Sequence, residues 1–179
     1  MDTTVKPLFL VGYMGCGKSS LGRRLARRLG VETVDTDALI ERMEGASVSD
    51  VFRYEGEERF RELEREALER IVARGERVVV ATGGGLPTWR DNMTRMNATG
   101  ATVYLRRTAE QIASRLSPYG RQKRPRLRGL SDAELVAFMT RDMAVRESFY
   151  AQAQLTVDCA AMSDDEVVER ILKWLEDGE

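Results

Sequence analysis

The stretch Gly12-Tyr13-Met14-Gly15-Cys16-Gly17-Lys18-Ser19 decides how this chain is read. It fits the pattern G-x-x-x-x-G-K-[ST], in which backbone N–H groups cradle a polyphosphate. Gly12 lets the chain leave a strand in a tight turn, and Gly17 lets the backbone approach the phosphates with no side chain between. In that pattern Lys18 reaches the β/γ-phosphates and the Ser19 hydroxyl sits on Mg²⁺. Gly15, Cys16, Gly17, Lys18, Ser19 and Ser20 are thus the expected phosphate contacts. The apolar run Leu8-Phe9-Leu10-Val11 precedes the loop and a helix-forming stretch over 20–29 follows it, so the phosphate meets a helix N-terminus. The stretch reads as a nucleotide site.

Outward from the loop, strand-like and helix-like stretches alternate along the chain. A second strand is expected over 32–35, and a central one over 77–81 on its β-branched Val78-Val79-Val80. Two more are expected over 101–105 and 155–158. Helices are expected over 38–43, from Ser47 to a stop at Gly56, over 57–74, and over 89–98. Thr108 with Gln111, Ser131 with Glu134 and Ser163 with Glu166 are capping boxes that open three more. Residues 117–130 read as a loop, with Pro118, Gly120, Pro125 and Gly129 as breakers. Five strands alternating with helices predict an α/β domain, a parallel sheet wrapped on both faces. Ligands then belong at the carboxyl ends of the strands, where Gly12, Asp35 and Gly83 fall.

Composition narrows the chemistry. At 179 residues the chain is read as one domain, 1–179, long enough to bury a sizeable core. A net charge of −1 gives no global pull toward nucleic acid or membrane. Residues 1–7 lack a basic segment followed by an apolar one, so no secretory signal is expected, and no apolar run approaches the roughly 18 residues of a membrane helix. Cys16 and Cys159 lie far apart in sequence and read as free thiols of a reducing cytoplasm. There is no histidine, which removes His-dependent triads, the usual zinc sites and imidazole acid–base chemistry together.

Several clusters surround the loop. Asp35-Thr36-Asp37 closes the second strand, where alternation points the two carboxylates to opposite sides. Asp35 can reach Mg²⁺ through water and Asp37 can face an attacking hydroxyl; the competing reading is a helix N-cap. The Val78-Val79-Val80-Ala81 strand ends without the Asp of a Walker B element, so metal carboxylates are scarce elsewhere. Gly83, Gly84 and Gly85 offer either a flexible linker or close backbone approach to a small ligand. Arg61 shares its helix with Arg59, Arg65, Arg70 and Arg74, and that spacing favours a solvated, ion-paired face, with Glu64 placed to orient Arg61. From Gln111 to Ser131 there is no acid, and Arg115, Arg121, Lys123, Arg124, Arg126 and Arg128 make a basic segment that can close on a triphosphate and expel water.

With those residues collected, the chain resembles the shikimate kinase family. The resemblance is carried by residues 12–19, Asp35-Thr36-Asp37, Glu55-Gly56-Glu57-Glu58-Arg59-Phe60-Arg61-Glu62-Leu63-Glu64, Thr82-Gly83-Gly84-Gly85, Arg124-Pro125 and Arg146-Glu147-Ser148-Phe149-Tyr150. It implies the P-loop kinase fold of nucleoside monophosphate kinases, strand order 2-3-1-4-5, with a substrate-binding segment at about 36–64 and a lid at about 117–130. It implies ATP and shikimate as substrates and Mg²⁺ as cofactor, with Lys18, Asp37 and Arg124 catalytic. Ser19 and Asp35 match the metal ligands. Asp37 matches the residue that holds the hydroxyl to be phosphorylated, Arg61 and Arg146 the pair that grips a carboxylate, and residues 83–85 the loop that meets the ring. Arg115 matches an arginine packed on adenine. One departure is Arg126, where the family lid usually carries an apolar residue.

The reaction so implied is ATP-dependent phosphorylation of the shikimate 3-hydroxyl, by a cytoplasmic monomer with no nucleic-acid or membrane partner. A gluconate-type or nucleoside monophosphate kinase, an ATP-binding regulatory protein, and an RNA-binding protein using the basic segment are the rivals. The first would not require the Gly-Glu-x-x-Phe-Arg string. A GTPase switch would show Asn-Lys-x-Asp, which the sequence lacks. Net charge near zero and no recognised RNA module argue against the third.

Overall fold

β1 (Leu8–Val11) is buried at every residue, which its unbroken Leu-Phe-Leu-Val run permits: a parallel strand covered on both faces carries apolar side chains on both. The structure is a computed structural model that describes residues 6–178. Around β1 lie β2 (Glu32–Asp35), β3 (Val78–Ala81), β4 (Ala101–Arg106) and β5 (Leu155–Asp158). They form one five-stranded sheet in the order β2-β3-β1-β4-β5, and every pairing is parallel. β3 is as apolar and buried as β1, whereas the edge strands β2 and β5 each bury only one residue fully.

The helices are α1 (Lys18–Leu29), α2 (Thr36–Glu44), α3 (Val48–Ala73), α4 (Asn92–Thr99), α5 (Ala109–Arg115), α6 (Pro118–Gln122), α7 (Asp132–Tyr150) and α8 (Asp164–Gly178). The main core joins the sheet to helices on both sides of it. A smaller cluster of Ile40, Val51, Phe60, Leu63 and Ala67 sits between α2 and α3 and fixes that pair as a unit beside the sheet. Among the described residues no helix is long and apolar enough to cross a membrane. Both cysteines are free and buried.

Local signals account for most element ends. Thr108 and Ser131 form reciprocal capping boxes with Gln111 and Glu134, and Ser163 exchanges the same two bonds with Glu166. α3 runs through Gly56, but that residue has φ 87° and ψ 172°, so pieces 48–55 and 57–73 meet at a break. The helix expected over 89–98 divides instead: a 3₁₀ turn at Leu86–Thr88, then α4 from Asn92, with Arg90 between them at φ 49°. Residues 117–130 also differ from the expected loop. Ser117 caps α6 with Pro118 at its first position, and a second 3₁₀ turn follows at Pro125–Leu127. A serine followed by proline is an N-cap and N1 pair, which outweighs the count of breakers.

α1 packs on the sheet at Gly22, where an added Cβ would meet Leu10, Thr33 and Val79 side chains at 3.5–3.7 Å, ordinary contact. Gly22 is helical, so alanine gains helix propensity without a clash. Gly22→Ala should therefore stabilise the fold by about 0.5–1 kcal/mol, read as a raised denaturant midpoint with an unchanged slope.

Candidate functional site

Loop 12–19 leaves β1 and enters α1 with Gly12 at φ 145°, Gly15 at 73° and Gly17 at 105°, conformations that side chains adopt with strain. Gly17 is the N-cap of α1 and offers no side-chain cap, so the first N–H groups of the helix stay available to a ligand. Lys18 is buried, and its Nζ donates to the Gly12 and Tyr13 carbonyls, both at 2.8 Å. Cys16 is buried behind it, with Sγ 3.8 Å from Nζ. Arg115 flanks the loop, its Nη2 3.6 Å from where a Cβ on Gly17 would stand.

The two readings of the Asp pair prove compatible. Asp35 Oδ1 accepts from the Asp37 and Ala38 N–H groups and caps α2, while Oδ2 accepts from the Ser19 hydroxyl at 2.9 Å. Asp37 is not part of the strand; it lies in the first turn of α2, which is what turns it away from Asp35's partners. Ser19 and Asp35 thus present a hydroxyl and a carboxylate together at the α1 N-terminus. Among the described residues no three Cys, Asp or Glu side chains form a metal cage, so a hard cation here needs phosphate and water oxygens as well.

Residues 83–85 follow β3 and are locked, not loose. Gly83 N–H donates to Thr36 Oγ1 at 2.8 Å, Gly84 O accepts from the Tyr150 hydroxyl at 2.6 Å, and Gly85 O accepts from Thr88 at 2.8 Å. Thr82 anchors the strand end to Leu10 O. The glycines are there for space. A Cβ at 83 would press on Glu64 Oε1 at 2.7 Å and Asp37 Oδ1 at 3.0 Å, and one at 85 would overlap the Arg61 guanidinium.

Asp37 and Glu64 therefore both crowd the space where a Cβ on Gly83 would stand. Asp37 Oδ1 is buried and has no hydrogen-bond partner. Burial, reinforced by Asp35, pushes its carboxyl up to about 6, with Lys18 and Arg61 pulling against the rise. Burial likewise lifts Glu64, 1% exposed, to about 7 despite its 2.6 Å bond from Arg61 Nη1.

Arg61 is ion-paired as its spacing favours, but it is not on a solvated face. Its side chain is only 15% exposed, held by Glu64 below and Glu57 above, whereas Arg59 and Arg74 do form exposed pairs. Arg146 is buried to the same degree; it pairs with Asp142 at 3.2 Å and lies over the Tyr13 ring, whose hydroxyl donates to Asp142. Both arginines line one open cleft of about 620 Å³, together with Thr88, Trp89, Asp142 and Phe149. Glu57 and Glu58 line the same cleft, so its charge is mixed, and the two guanidinium groups are where a carboxylate would be met. Arg124 stands apart: its Nη1 donates to Gly120 O at 2.7 Å, within its own segment. Arg126 is exposed beside the buried Leu127.

The sequence reading gave no role to Thr36, Tyr150 or Asp142. Thr36 lies inside the Asp-x-Asp string, and Tyr150 and Asp142 sit one turn either side of Arg146, so their helical spacing was visible although their partners were not.

A phosphate loop at the central strand of a parallel sheet, beside a metal-type carboxylate and a separate cleft, defines a P-loop kinase fold. The model of the shikimate kinase family matches residues 14–176. A shikimate kinase of Parabacteroides distasonis is 43% identical over 167 residues, 93% of this chain and 95% of the relative. Shikimate kinase from Bacteroides thetaiotaomicron superposes with a TM-score of 0.87 at 38% identity, covering 96% of this chain and 98% of that one. Shikimate kinase from Acinetobacter baumannii, solved in complex with shikimate, gives 0.85 at 31% identity, covering 98% and 96%. The chain belongs to the shikimate kinase family.

The raised carboxyl of Asp37 fixes a sign for stability. Its ordinary value is about 4, so between pH 4 and 6 the folded state holds a proton that the unfolded state has lost. This share of stability therefore falls as pH rises through that window and stays lost above it. Asp37→Asn should raise Tm by several degrees at pH 8 and by less at pH 5, at roughly 2–4 °C per kcal/mol. No rise at pH 8 would show that burial does not strain the charge.

Proposed function

We propose that this chain transfers the γ-phosphoryl group of ATP to the 3-hydroxyl of shikimate, giving ADP and shikimate 3-phosphate on the pathway to chorismate and the aromatic amino acids. The observation that carries the reading is the buried, unpartnered Oδ1 of Asp37, beside a cleft lined by Arg61 and Arg146. An acceptor with a hydroxyl at one end and a carboxylate at the other meets both. A neutral polyol would offer no charge to the two guanidinium groups, whose protein partners are Glu57, Glu64 and Asp142.

In this mechanism Gly15, Cys16, Gly17, Lys18, Ser19 and Ser20 hold the ATP phosphates, and Arg115 packs against the base. Ser19 and, through water, Asp35 would hold Mg²⁺, which when bound would offset charge on the phosphates. Arg61, Arg146 and residues 83–85 orient the acceptor, and Asp37 accepts a hydrogen bond from the reacting hydroxyl. Even at about 6, Asp37 is far too weak a base to ionise an alcohol whose pKa lies near the roughly 15.7 of water. It aligns the oxygen and takes the proton late, while alignment itself supplies on the order of 7–11 kcal/mol. Arg124 reaches the phosphates when segment 117–130 closes, and closure excludes water as a competing acceptor. Residues 36–64 form the substrate-binding segment of a single domain, acting as a cytoplasmic monomer.

ADP release should depend on shikimate and not on gluconate or a nucleoside monophosphate; preference for either of those overturns the assignment. Arg61→Ala should raise the KM for shikimate at least tenfold with the KM for ATP within twofold, in a coupled assay. With Asp37 active as the carboxylate, kcat/KM for shikimate should fall as pH drops through about 6. An acid limb unchanged in position by Asp37→Glu or abolished along with ATP binding by Asp37→Asn would assign the titration elsewhere.

A further inference from the structure

Arg107 follows β4, 6% exposed, and all of its bonding goes to the back of the phosphate loop and what lies behind it. Nε donates to the Cys16 carbonyl at 2.9 Å, Nη1 to the Cys159 carbonyl at 3.1 Å and Nη2 to Asp164 Oδ1 at 3.2 Å. The three acceptors come from three separate segments: loop 12–19, the 3₁₀ turn at Cys159–Ala161, and the first turn of α8. The same Asp164 oxygen lies 3.9 Å from Arg115 Nη1. Arg115 in turn flanks Gly17, so two guanidinium groups share one carboxylate directly behind the loop.

The bond to Cys16 has a directional consequence. A peptide unit is planar and trans, so the Cys16 carbonyl and the Gly17 N–H point in opposite directions. A phosphate cradle works only when N–H groups face the ligand, since a carbonyl turned inward repels phosphate oxygens. Flipping that peptide turns ψ of Cys16 and φ of Gly17, and Gly17, at φ 105°, can adopt either sign of φ without a Cβ penalty. Lys18 holds the Gly12 and Tyr13 carbonyls from the ligand side; Arg107 holds the Cys16 carbonyl from behind.

We propose that Arg107 is a positioning residue for nucleotide binding. It fixes the Cys16–Gly17 peptide with its N–H toward the phosphates and, through Asp164, ties that peptide to Arg115 on the base side. This rests on the reading of loop 12–19 as the ATP site. The guanidinium does not touch the nucleotide; it selects one of two peptide orientations.

The test uses Arg107→Gln, Arg107→Lys and Asp164→Asn, with kcat and both KM values measured well below each variant's Tm, and binding of ADP and adenosine by calorimetry. Arg107→Gln should raise the KM for ATP about tenfold with the KM for shikimate within twofold, and Arg107→Lys should recover part of the loss. ADP affinity should fall by a similar factor while adenosine affinity changes less than twofold, because only ADP uses the loop N–H groups. Asp164→Asn, at a half-buried position that leaves Arg107 in place, should raise the KM for ATP two- to fivefold; it carries the test if Arg107→Gln does not fold. A purely structural role predicts a lowered Tm with the KM for ATP unchanged, and that result overturns the proposal. Equal loss for ADP and adenosine, or for both substrates, overturns it too. If the unaltered protein binds neither ATP nor ADP, the nucleotide reading fails instead.

Discussion

Asp37 and Glu64 both crowd the space where a Cβ on Gly83 would stand, both largely out of water, and neither carries its charge there without help. Much of the surrounding structure answers that constraint. Arg61 is drawn under the glycine run to meet Glu64, and Lys18 lies close enough to stabilise the Asp37 carboxylate. Glycine at position 83 leaves both carboxyls where they are, since a Cβ there would press on each of them. A carboxylate cluster that folding disfavours is kept where the proposed reaction would need an acceptor without a donor of its own.

The sheet brings these groups together. β2, β3 and β1 end at one edge, with Asp35 level with Ala81 and Ala81 level with Leu10 in the register, so the Asp pair, the glycine run and the phosphate loop start side by side. Thr82 and Thr36 then stitch the three ends with hydrogen bonds to Leu10 O and from Gly83 N–H. α7 closes the far wall: Tyr150 fixes Gly84 O, and one turn earlier Arg146 enters the cleft with its Asp142 and Tyr13 partners. Arg146 thus reaches the phosphate loop through Tyr13, whose ring it covers and whose hydroxyl shares Asp142 with it.

What the sequence disclosed was mainly local. Capping boxes at 108, 131 and 163, the apolar strands and the stop at Gly56 are written in neighbouring residues, and each appears as read. The order of strands was not derivable from spacing and came through the family resemblance. Arg61 shows where spacing stops: its partner Glu64 three residues on was legible, but the burial of that pair against residues 83–85, which sets Arg61 apart from the exposed arginines of its helix, was not. Asp35 is a different case: capping α2 uses only Oδ1, and Oδ2 is left to meet the Ser19 hydroxyl, so the cap does not exclude the ligand reading. Residues 117–130 were judged on their breakers, yet Ser117-Pro118 was a helix start in plain view. Arg107 had no motif at all; its partners lie in segments more than 50 residues away along the chain on either side.

The Lys18 ammonium also bears on the thermodynamics of binding. An exposed ammonium carries a tightly held hydration shell that a phosphate must strip away. Here two loop carbonyls at 2.8 Å already stand where that water would be. In the proposed ATP site, binding at this lysine exchanges one set of oxygen acceptors for a more negative one, with few ordered waters released from the cation itself. The enthalpy of the new contacts, more than solvent entropy, is what this lysine contributes.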